Sequence, residues 1–508
     1  MSNMLYEALF APLAGRSSTF LFTREGKEIS GRDFHDLVLR FASTFATLGL
    51  KCGDRVAVQV AKSPEALALY GAAVASGIVF LPLNTAYTAS EVAYFVDDSG
   101  AALLIGDDAH AATLQEVAQK ARAKFLSLNA DGSGTFSDEA EKESATYVPA
   151  ERGPDDLAAL LYTSGTTGRS KGAMLSQKNL LSNAEVLVRE WRFTGEDVLL
   201  HALPIFHTHG LFVACNVVLL SRGSMIFLPS FKPDDIIRFL PMATSMMGVP
   251  TFYTRLLDDP RFDRELTQHM RLFTSGSAPL LADTHVAFEK RTGHKILERY
   301  GMTETNMSTS NPYEGERRAG TVGFPLPGIE LRIVNADTNE PAADGEPGII
   351  EVRGPNVFQG YWRMPEKTKE ELREDGFFIT GDIGRIDEDG YVSIVGRQKD
   401  LIITGGYNVY PKEIELVFDE QPGVMESAVI GLPHPDFGEA VACVVVPENG
   451  TSLNPSELEA IAGEKLARFK QPKVIFIVDE LPRNTMGKVQ KNVLRDTYHE
   501  YFREKSLI

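Results

Sequence analysis

The chain has 508 residues, 43% hydrophobic and 24% charged, with 43 glycines and 27 prolines. That composition supports a packed core and excludes collagen-like or broadly disordered chains. At about 150 residues per domain the length allows roughly two to four folding units, and a net charge of −18 argues against general nucleic-acid binding, because such a surface repels a polyanion.

Cys52, Cys215 and Cys443 are far apart and form no CxxC pair, so neither a disulfide framework nor a zinc site is expected, and a reducing compartment suits them. The first fifteen residues lack the basic segment of a secretory signal. The longest apolar run, Gly210–Leu220, carries Asn216 and falls short of the ~20 residues that span a bilayer. A cytoplasmic enzyme with no membrane partner is the expectation.

In chain order, Asp54–Ala61 reads as a buried strand, Ser63–Gly77 as a helix ending at its glycine, and Val79–Asn84 as a second strand. This strand–helix–strand order predicts α/β layers with parallel pairing. Ala130–Ala145, rich in Ser, Gly, Asp and Glu, reads as an exposed excursion, after which α/β alternation resumes to about Ile329. From Gly328 to Gly396 short strands with Gly, Asp-Gly and Pro turns predict a small all-β, barrel-like unit of hairpins. A domain boundary is placed near Lys399, giving an N-terminal domain over 1–398 and a smaller α+β domain over 399–508. In the latter a helix starts near Pro411 and another is opened by Ser456. The final stretch, Leu466–Ile508, holds nine Lys/Arg against five Asp/Glu, a basic tail able to meet a local polyanion such as a nucleotide.

The strongest local signal is Thr163–Gly172, TSGTTGRSKG. Gly165 and Gly168 let the backbone turn tightly and present N–H groups to phosphate oxygens. Thr163, Ser164, Thr166 and Thr167 add hydroxyls, and Lys171 adds a mobile cation. The spacing departs from the Walker loop, which opens directly onto a helix. Here the apolar strand DLAALLY precedes the loop, GAMLS after Lys171 reads as a second strand, and the helix begins only after Ser176.

YTSGTTGRSKG resembles the phosphate-binding signature of the adenylate-forming ligases, the superfamily of acyl-CoA synthetases, firefly luciferase and peptide-synthetase adenylation domains. YGMTET (Tyr300–Thr305), TGD (Thr380–Asp382), GRQKD (Gly396–Asp400), GGYNVYPKEIE (Gly405–Glu415) and PRNTMGKVQK (Pro482–Lys491) follow in family order. The resemblance covers essentially the whole chain. It implies a two-step reaction: a carboxylate attacks the α-phosphate of ATP to give an acyl-AMP and pyrophosphate, and a thiol then displaces AMP. Charge gathers on phosphate oxygens, so positioning, cations and Mg²⁺ should carry the first step.

By the same resemblance, Thr303 meets the α-phosphate and Glu304 holds Mg²⁺, a hard cation that prefers oxygen. Tyr300, Gly301 and Met302 lie beside the adenine, as do Ser277 and Ala278 of SGSAPL, with Ser277 also facing the acyl group. Asp382 accepts from the ribose hydroxyls, reinforced by Arg397. Lys488 bridges the substrate carboxylate and phosphate, as a flexible point charge suits. Lys399 is the hinge about which the smaller domain turns, replacing Lys488 with Gly405 and Gly406, whose bare backbones admit a pantetheine thiol. The segment around Lys488 also resembles one acetylated by protein acetyltransferases in bacterial relatives.

The acyl pocket is the most informative place. Arg299 stands directly before Tyr300, where many relatives for apolar acids carry glycine, and PIFHTHGLF supplies His207 and His209. A buried arginine needs a partner, here a second carboxylate on the substrate. Arg299, Ser277 and the two histidines therefore point to a short dicarboxylic acid, resembling the malonate-activating members of the superfamily, with methylmalonate tolerated. The alternative turns Arg299 outward against Glu298 and leaves a pocket for a simple short-chain or aryl acid. Coenzyme A is the expected thiol, since no carrier-protein segment is evident; a stand-alone adenylation domain loading a carrier in trans is the other reading.

Overall fold

In a computed structural model, the structure describes residues 3–163, 170–278, 280–336, 338–404, 407–434, 437–484 and 488–502. The chain divides into two compact units, one of residues 1–330 and 352–378, the other of residues 331–351 and 379–508. The mixed α/β architecture expected from the alternation of strands and helices is present.

The first unit holds β1 (Thr19–Thr23), β2 (Glu28–Ser30), β3 (Arg55–Val58), β4 (Val79–Pro82), β5 (Leu103–Gly106), β6 (Lys124–Ser127), β7 (Leu157–Thr163) and β8 (Lys171–Ser176). It continues with β9 (Val198–His201), β10 (Ser224–Phe227), β11 (Ser245–Gly248), β12 (Leu272–Ser275), β13 (Leu297–Met302), β14 (Asn306–Ser310) and β15 (Phe324–Pro325). One six-stranded sheet runs β6-β5-β3-β4-β7-β8 and a nine-stranded sheet runs β15-β14-β13-β12-β11-β9-β10-β1-β2. Both are parallel inside; the six-stranded sheet turns antiparallel at β8 and the nine-stranded one at both ends, with β7–β8 and β13–β14 forming hairpins. These two hairpins carry the phosphate and Tyr300–Thr305 motifs.

The strands inside read as continuous apolar runs because helices cover both faces. The helix Pro64–Ser76 shows the local logic: Ser63 caps it, proline sits in its first turn, and Gly77 ends it at φ +69°. Ser176 likewise caps the helix Gln177–Glu190. Among the described residues, one core cluster gathers around Tyr253, Phe262, Phe273 and Phe288 and another around Phe95, Leu104 and Val96.

Local expectations are corrected at four places. The excursion at 130–145 contains the helix Thr135–Ala140, whose Phe136 is fully buried against Phe41 and Phe45; one aromatic anchor outweighs its polar neighbours. The stretch 328–396 is not all β, because Pro365–Glu371 is a helix begun by its proline. The apolar run FFIT reads as a buried strand that Asp382 follows, but the strand Phe378–Ile386 continues through Asp382. Asn454, not Ser456, caps the helix Pro455–Lys465, accepting from the Ser456 N–H.

In the second unit β16 (Glu330–Val334), β17 (Gly348–Arg353), β18 (Phe378–Ile386) and β19 (Val392–Arg397) form a sheet in that order. Next come β20 (Ile402–Thr404), β21 (Tyr407–Val409), β22 (Val424–His434), β23 (Gly438–Pro447) and β24 (Val474–Ile477). They pair as β21-β20-β23-β22, with β24 on β23. The helices Pro411–Asp419 and Pro455–Lys465 pack on one face. Among the described residues no helix is long and apolar enough to cross a membrane.

Candidate functional site

The β7–β8 hairpin places Thr163 opposite Lys171. Ser164, Gly165, Thr166, Thr167 and Gly168 lie outside the described residues. Lys171 Nζ is 3.0 and 3.2 Å from the two carboxylate oxygens of Glu371 and 4.2 Å above the Tyr361 ring. The expected mobile cation is therefore tethered. The Tyr361 hydroxyl lies 2.6 Å from Glu371 Oε2 and 3.0 Å from Glu304 Oε1; its single hydrogen serves one carboxylate at a time. Burial, then the neighbouring carboxylates, raises the phenol, so it stays a donor. Burial also pushes the Glu304 carboxyl up.

Glu304 is 4% exposed and sits in the turn of the β13–β14 hairpin, beside half-buried Thr303. The hairpin requires glycine at 301, where a Cβ would lie 1.7 Å from the Asn306 carbonyl oxygen. Asn306 closes the turn at φ +49°, a region asparagine tolerates. Among the described residues no group of three His, Cys, Asp or Glu is placed to hold a metal. One buried carboxylate fits Mg²⁺, which takes few protein ligands and completes its shell with phosphate oxygens and water.

Of the residues expected on the acyl side, His209 lies near enough to Arg299 for their charges to interact and within reach of Ser277. The Arg299 side chain is 3% exposed, and Nε and Nη2 have no hydrogen-bond partner among the described residues. Those two atoms form the side-on edge that binds a carboxylate bidentately. Burial pulls the guanidinium down to about 9, with Tyr253 opposing. Arg299 does not turn out to Glu298: consecutive strand residues face opposite ways, and Glu298 lies 3.4 Å from His285 Nδ1.

His209, 5% exposed, lies 3.2 Å from Ser277 Oγ through Nδ1, and its Nε2 has no partner among the described residues. Burial first, then Arg299, pushes it well below the ordinary histidine value, so the ring is neutral. Ser277, exposed, is held at φ +70°, a strained non-glycine conformation, and Ala278 follows it on the surface. His207 packs its ring against Phe206. Tyr300 and Met302 are half-buried on β13.

Sequence reasoning missed what supports this pocket. His209 begins a π-helical turn, His209–Cys215, of the kind that recurs at functional sites. Lys62 Nζ donates to His201 Nδ1 at 2.8 Å and to the carbonyls of His201 and Leu203. His201 Nε2 then donates to the Gly210 carbonyl at 2.8 Å, anchoring the turn. Tyr361 and Glu371 were missed too. No local pattern marks them, although Glu371 lies in a run of charges that reads as surface.

In the second unit Asp382 and Arg397 are register partners across β18–β19, with Arg397 Nε 2.8 Å from Asp382 Oδ1. Lys399 sits in the turn Gln398–Asp400, and burial followed by Arg397 lowers it to about 8. Lys488 is exposed, with its backbone fixed by two 2.9 Å bonds: its N–H donates to Asn484 Oδ1 and its carbonyl accepts from the Asn484 N–H. Three residues on, Lys491 pairs with buried Glu415 at 2.5 Å. Gly405 and Gly406 lie outside the described residues.

The family model for the AMP-binding enzyme matches residues 13–362, and that for the AMP-binding enzyme C-terminal domain matches residues 413–488. A crystal structure of ATP-bound MatB from Rhodopseudomonas palustris is 56% identical, covers 99% of this chain and 100% of its own, and superposes with a TM-score of 0.97. A malonate–CoA ligase from Arabidopsis thaliana is 34% identical over 97% of this chain and 88% of its own. A feruloyl-CoA synthase from an Amycolatopsis species is 36% identical over 90% and 91%. The two curated relatives, a malonate ligase and a feruloyl one, stand at nearly equal identity, whereas the ATP-bound MatB structure stands well above both.

Proposed function

Because the chain belongs to the AMP-binding enzyme family, we propose that it ligates malonate to coenzyme A at the expense of ATP, with malonyl-AMP as intermediate. The observation that carries the malonate assignment is Arg299, buried with its Nε–Nη2 edge unpartnered among the described residues. A carboxylate not consumed in the reaction satisfies both donors and offsets the buried charge. A feruloyl or other aryl monocarboxylic acid brings no such group. The likeness to ATP-bound MatB and to the Arabidopsis malonate–CoA ligase supports the same reading.

In this reading one malonate carboxylate docks on Arg299, oriented by Ser277, His207 and His209, and the other attacks the α-phosphorus of ATP, releasing pyrophosphate. Thr163, the loop residues 164–168 and Lys171 hold the phosphates, and Thr303 takes the α-phosphate. Glu304 holds Mg²⁺, which offsets charge on the phosphates. Tyr300, Gly301, Met302 and Ala278 border the adenine, and Asp382 with Arg397 takes the ribose. Lys488 bridges carboxylate and phosphate. A turn about Lys399, in the interval between the two family matches, divides the chain at 398/399 and exchanges Lys488 for Gly405 and Gly406. The coenzyme A sulfur then attacks the acyl carbon, and AMP leaves.

A cytoplasmic location and a protein acetyltransferase acting on Lys488 complete the proposal. Acetylation removes the charge that the first step uses, so enzyme acetylated at Lys488 should lose malonate-dependent ATP consumption. The activity itself is tested by incubating the protein with ATP, Mg²⁺, coenzyme A and malonate. Equal amounts of malonyl-CoA, AMP and pyrophosphate are expected; ADP in place of AMP, or transfer only to a carrier protein, overturns the reading.

A further inference from the structure

We propose that Glu371 is a positioning residue for the nucleotide phosphates: its carboxylate holds Lys171 at the closed end of the β7–β8 hairpin, so that the loop cation meets the polyphosphate already oriented. This rests on the reading of the hairpin as an ATP phosphate site. A free lysine has four rotatable bonds, and fixing such a side chain costs conformational entropy. Lys171 has been fixed in advance, by the Glu371 carboxylate on one side and the Tyr361 ring on the other.

Glu371 is itself held from several directions. Tyr361 donates to it at 2.6 Å, and Lys367, one helical turn earlier, pairs with it at 3.0 Å. Its helix, Pro365–Glu371, is locked to the hairpin side through Thr368. The Thr368 hydroxyl accepts from the Tyr361 N–H at 2.9 Å and donates to the Met364 carbonyl at 2.9 Å. Gly360 makes that contact possible, since a Cβ there would lie 2.5 Å from Thr368 Cγ2. Lys367 also pairs with Glu370 at 2.8 Å, so its charge is not drawn from Glu371 alone, and the Lys171 ammonium, with three N–H donors, retains donors for phosphate oxygens. Glu371 therefore orients the cation and leaves it donors for the polyphosphate.

The test compares Glu371→Gln, which keeps shape and loses charge, with Glu371→Asp, which keeps charge and shortens the reach. Steady-state KM values for ATP and malonate are measured, together with the Kd for inorganic tripolyphosphate by calorimetry. The rate of thioester formation from supplied malonyl-AMP and coenzyme A, which needs no β- or γ-phosphate, is measured separately. Glu371→Gln should raise the ATP KM and the tripolyphosphate Kd about tenfold or more, the loss of one charge-assisted bond. The malonate KM and the second half-reaction should stay within about twofold, and Glu371→Asp should recover part of the loss. An unchanged ATP KM, equal loss in both half-reactions, or an aspartate variant no better than glutamine overturns the proposal. If the glutamine variant fails to fold, the aspartate variant alone must show an ATP-specific defect. If the wild type proves to use another carboxylate, the same comparison run with that acid still decides the role of Glu371, so the two failures are distinct.

Discussion

Gly276 and Arg299 meet across the parallel pair β12–β13: a Cβ at 276 would lie 2.1 Å from Arg299 Nη1 and 2.4 Å from its Cζ. The bare backbone at 276 is thus the slot that lets the guanidinium lie inward. Gly276→Ala should cost about 1–3 kcal/mol of strain and displace Arg299. Initial rates are then expected to show malonate kcat/KM falling about 5- to 150-fold, with acetate much less affected. Equal loss for both acids would make the strain general rather than specific to Arg299.

Removing the cation tests the same relationship from the other side. Arg299→Met leaves the second malonate carboxylate buried without a partner, a penalty of about 2–5 kcal/mol. Malonate kcat/KM should drop roughly 30- to 5,000-fold while the ATP KM holds. A loss below about threefold would place the second carboxylate elsewhere.

Burial lowers Arg299 to about 9, and His209 lies well below its ordinary value for the same reason. His209 therefore stays neutral near pH 7 and contributes no titration of malonate binding there. The malonate KM should be flat through neutral pH and rise above about pH 9 as the guanidinium loses its proton. For folding the sign is opposite. The unfolded chain keeps the Arg299 proton up to the ordinary arginine value, so above about pH 9 this group adds stability as pH rises. Arg299→Met should remove that rise in urea titrations without malonate.

Lys488→Ala should abolish malonate-dependent pyrophosphate release yet still convert supplied malonyl-AMP to malonyl-CoA. The backbone anchors at Asn484 and the Lys491–Glu415 pair do not depend on the Lys488 side chain, so the fold should survive, which circular dichroism checks. Equal loss of both half-reactions contradicts the assigned division of labour.

The layered architecture, the strand pair flanking the phosphate loop and the helix ends at Ser63, Gly77 and Ser176 were readable in the sequence, because buried parallel strands are apolar runs and such caps carry local signals. Arg299 was readable from its place directly before Tyr300, where the resemblance puts the acyl pocket and many relatives for apolar acids carry glycine. Its slot was not, since Gly276 is one glycine among 43 and its meaning depends on a strand paired 23 residues later. The chains Lys62–His201–Gly210 and Lys171–Glu371–Tyr361–Glu304 were hidden for the same reason: each hangs on one long-range link, Lys62 to His201 across 139 positions and Lys171 to Glu371 across 200. Only packing brings such groups together. The helix Thr135–Ala140 was missed because composition outvoted a single phenylalanine.

The ratio of kcat/KM for malonate to that for acetate, measured by coenzyme A-dependent AMP formation in the wild type, reads the central claim most directly. If Arg299 binds the second carboxylate, malonate leads by more than about tenfold, some 1.4 kcal/mol. A ratio near one, or acetate ahead, would contradict it and leave Arg299 as a structural charge.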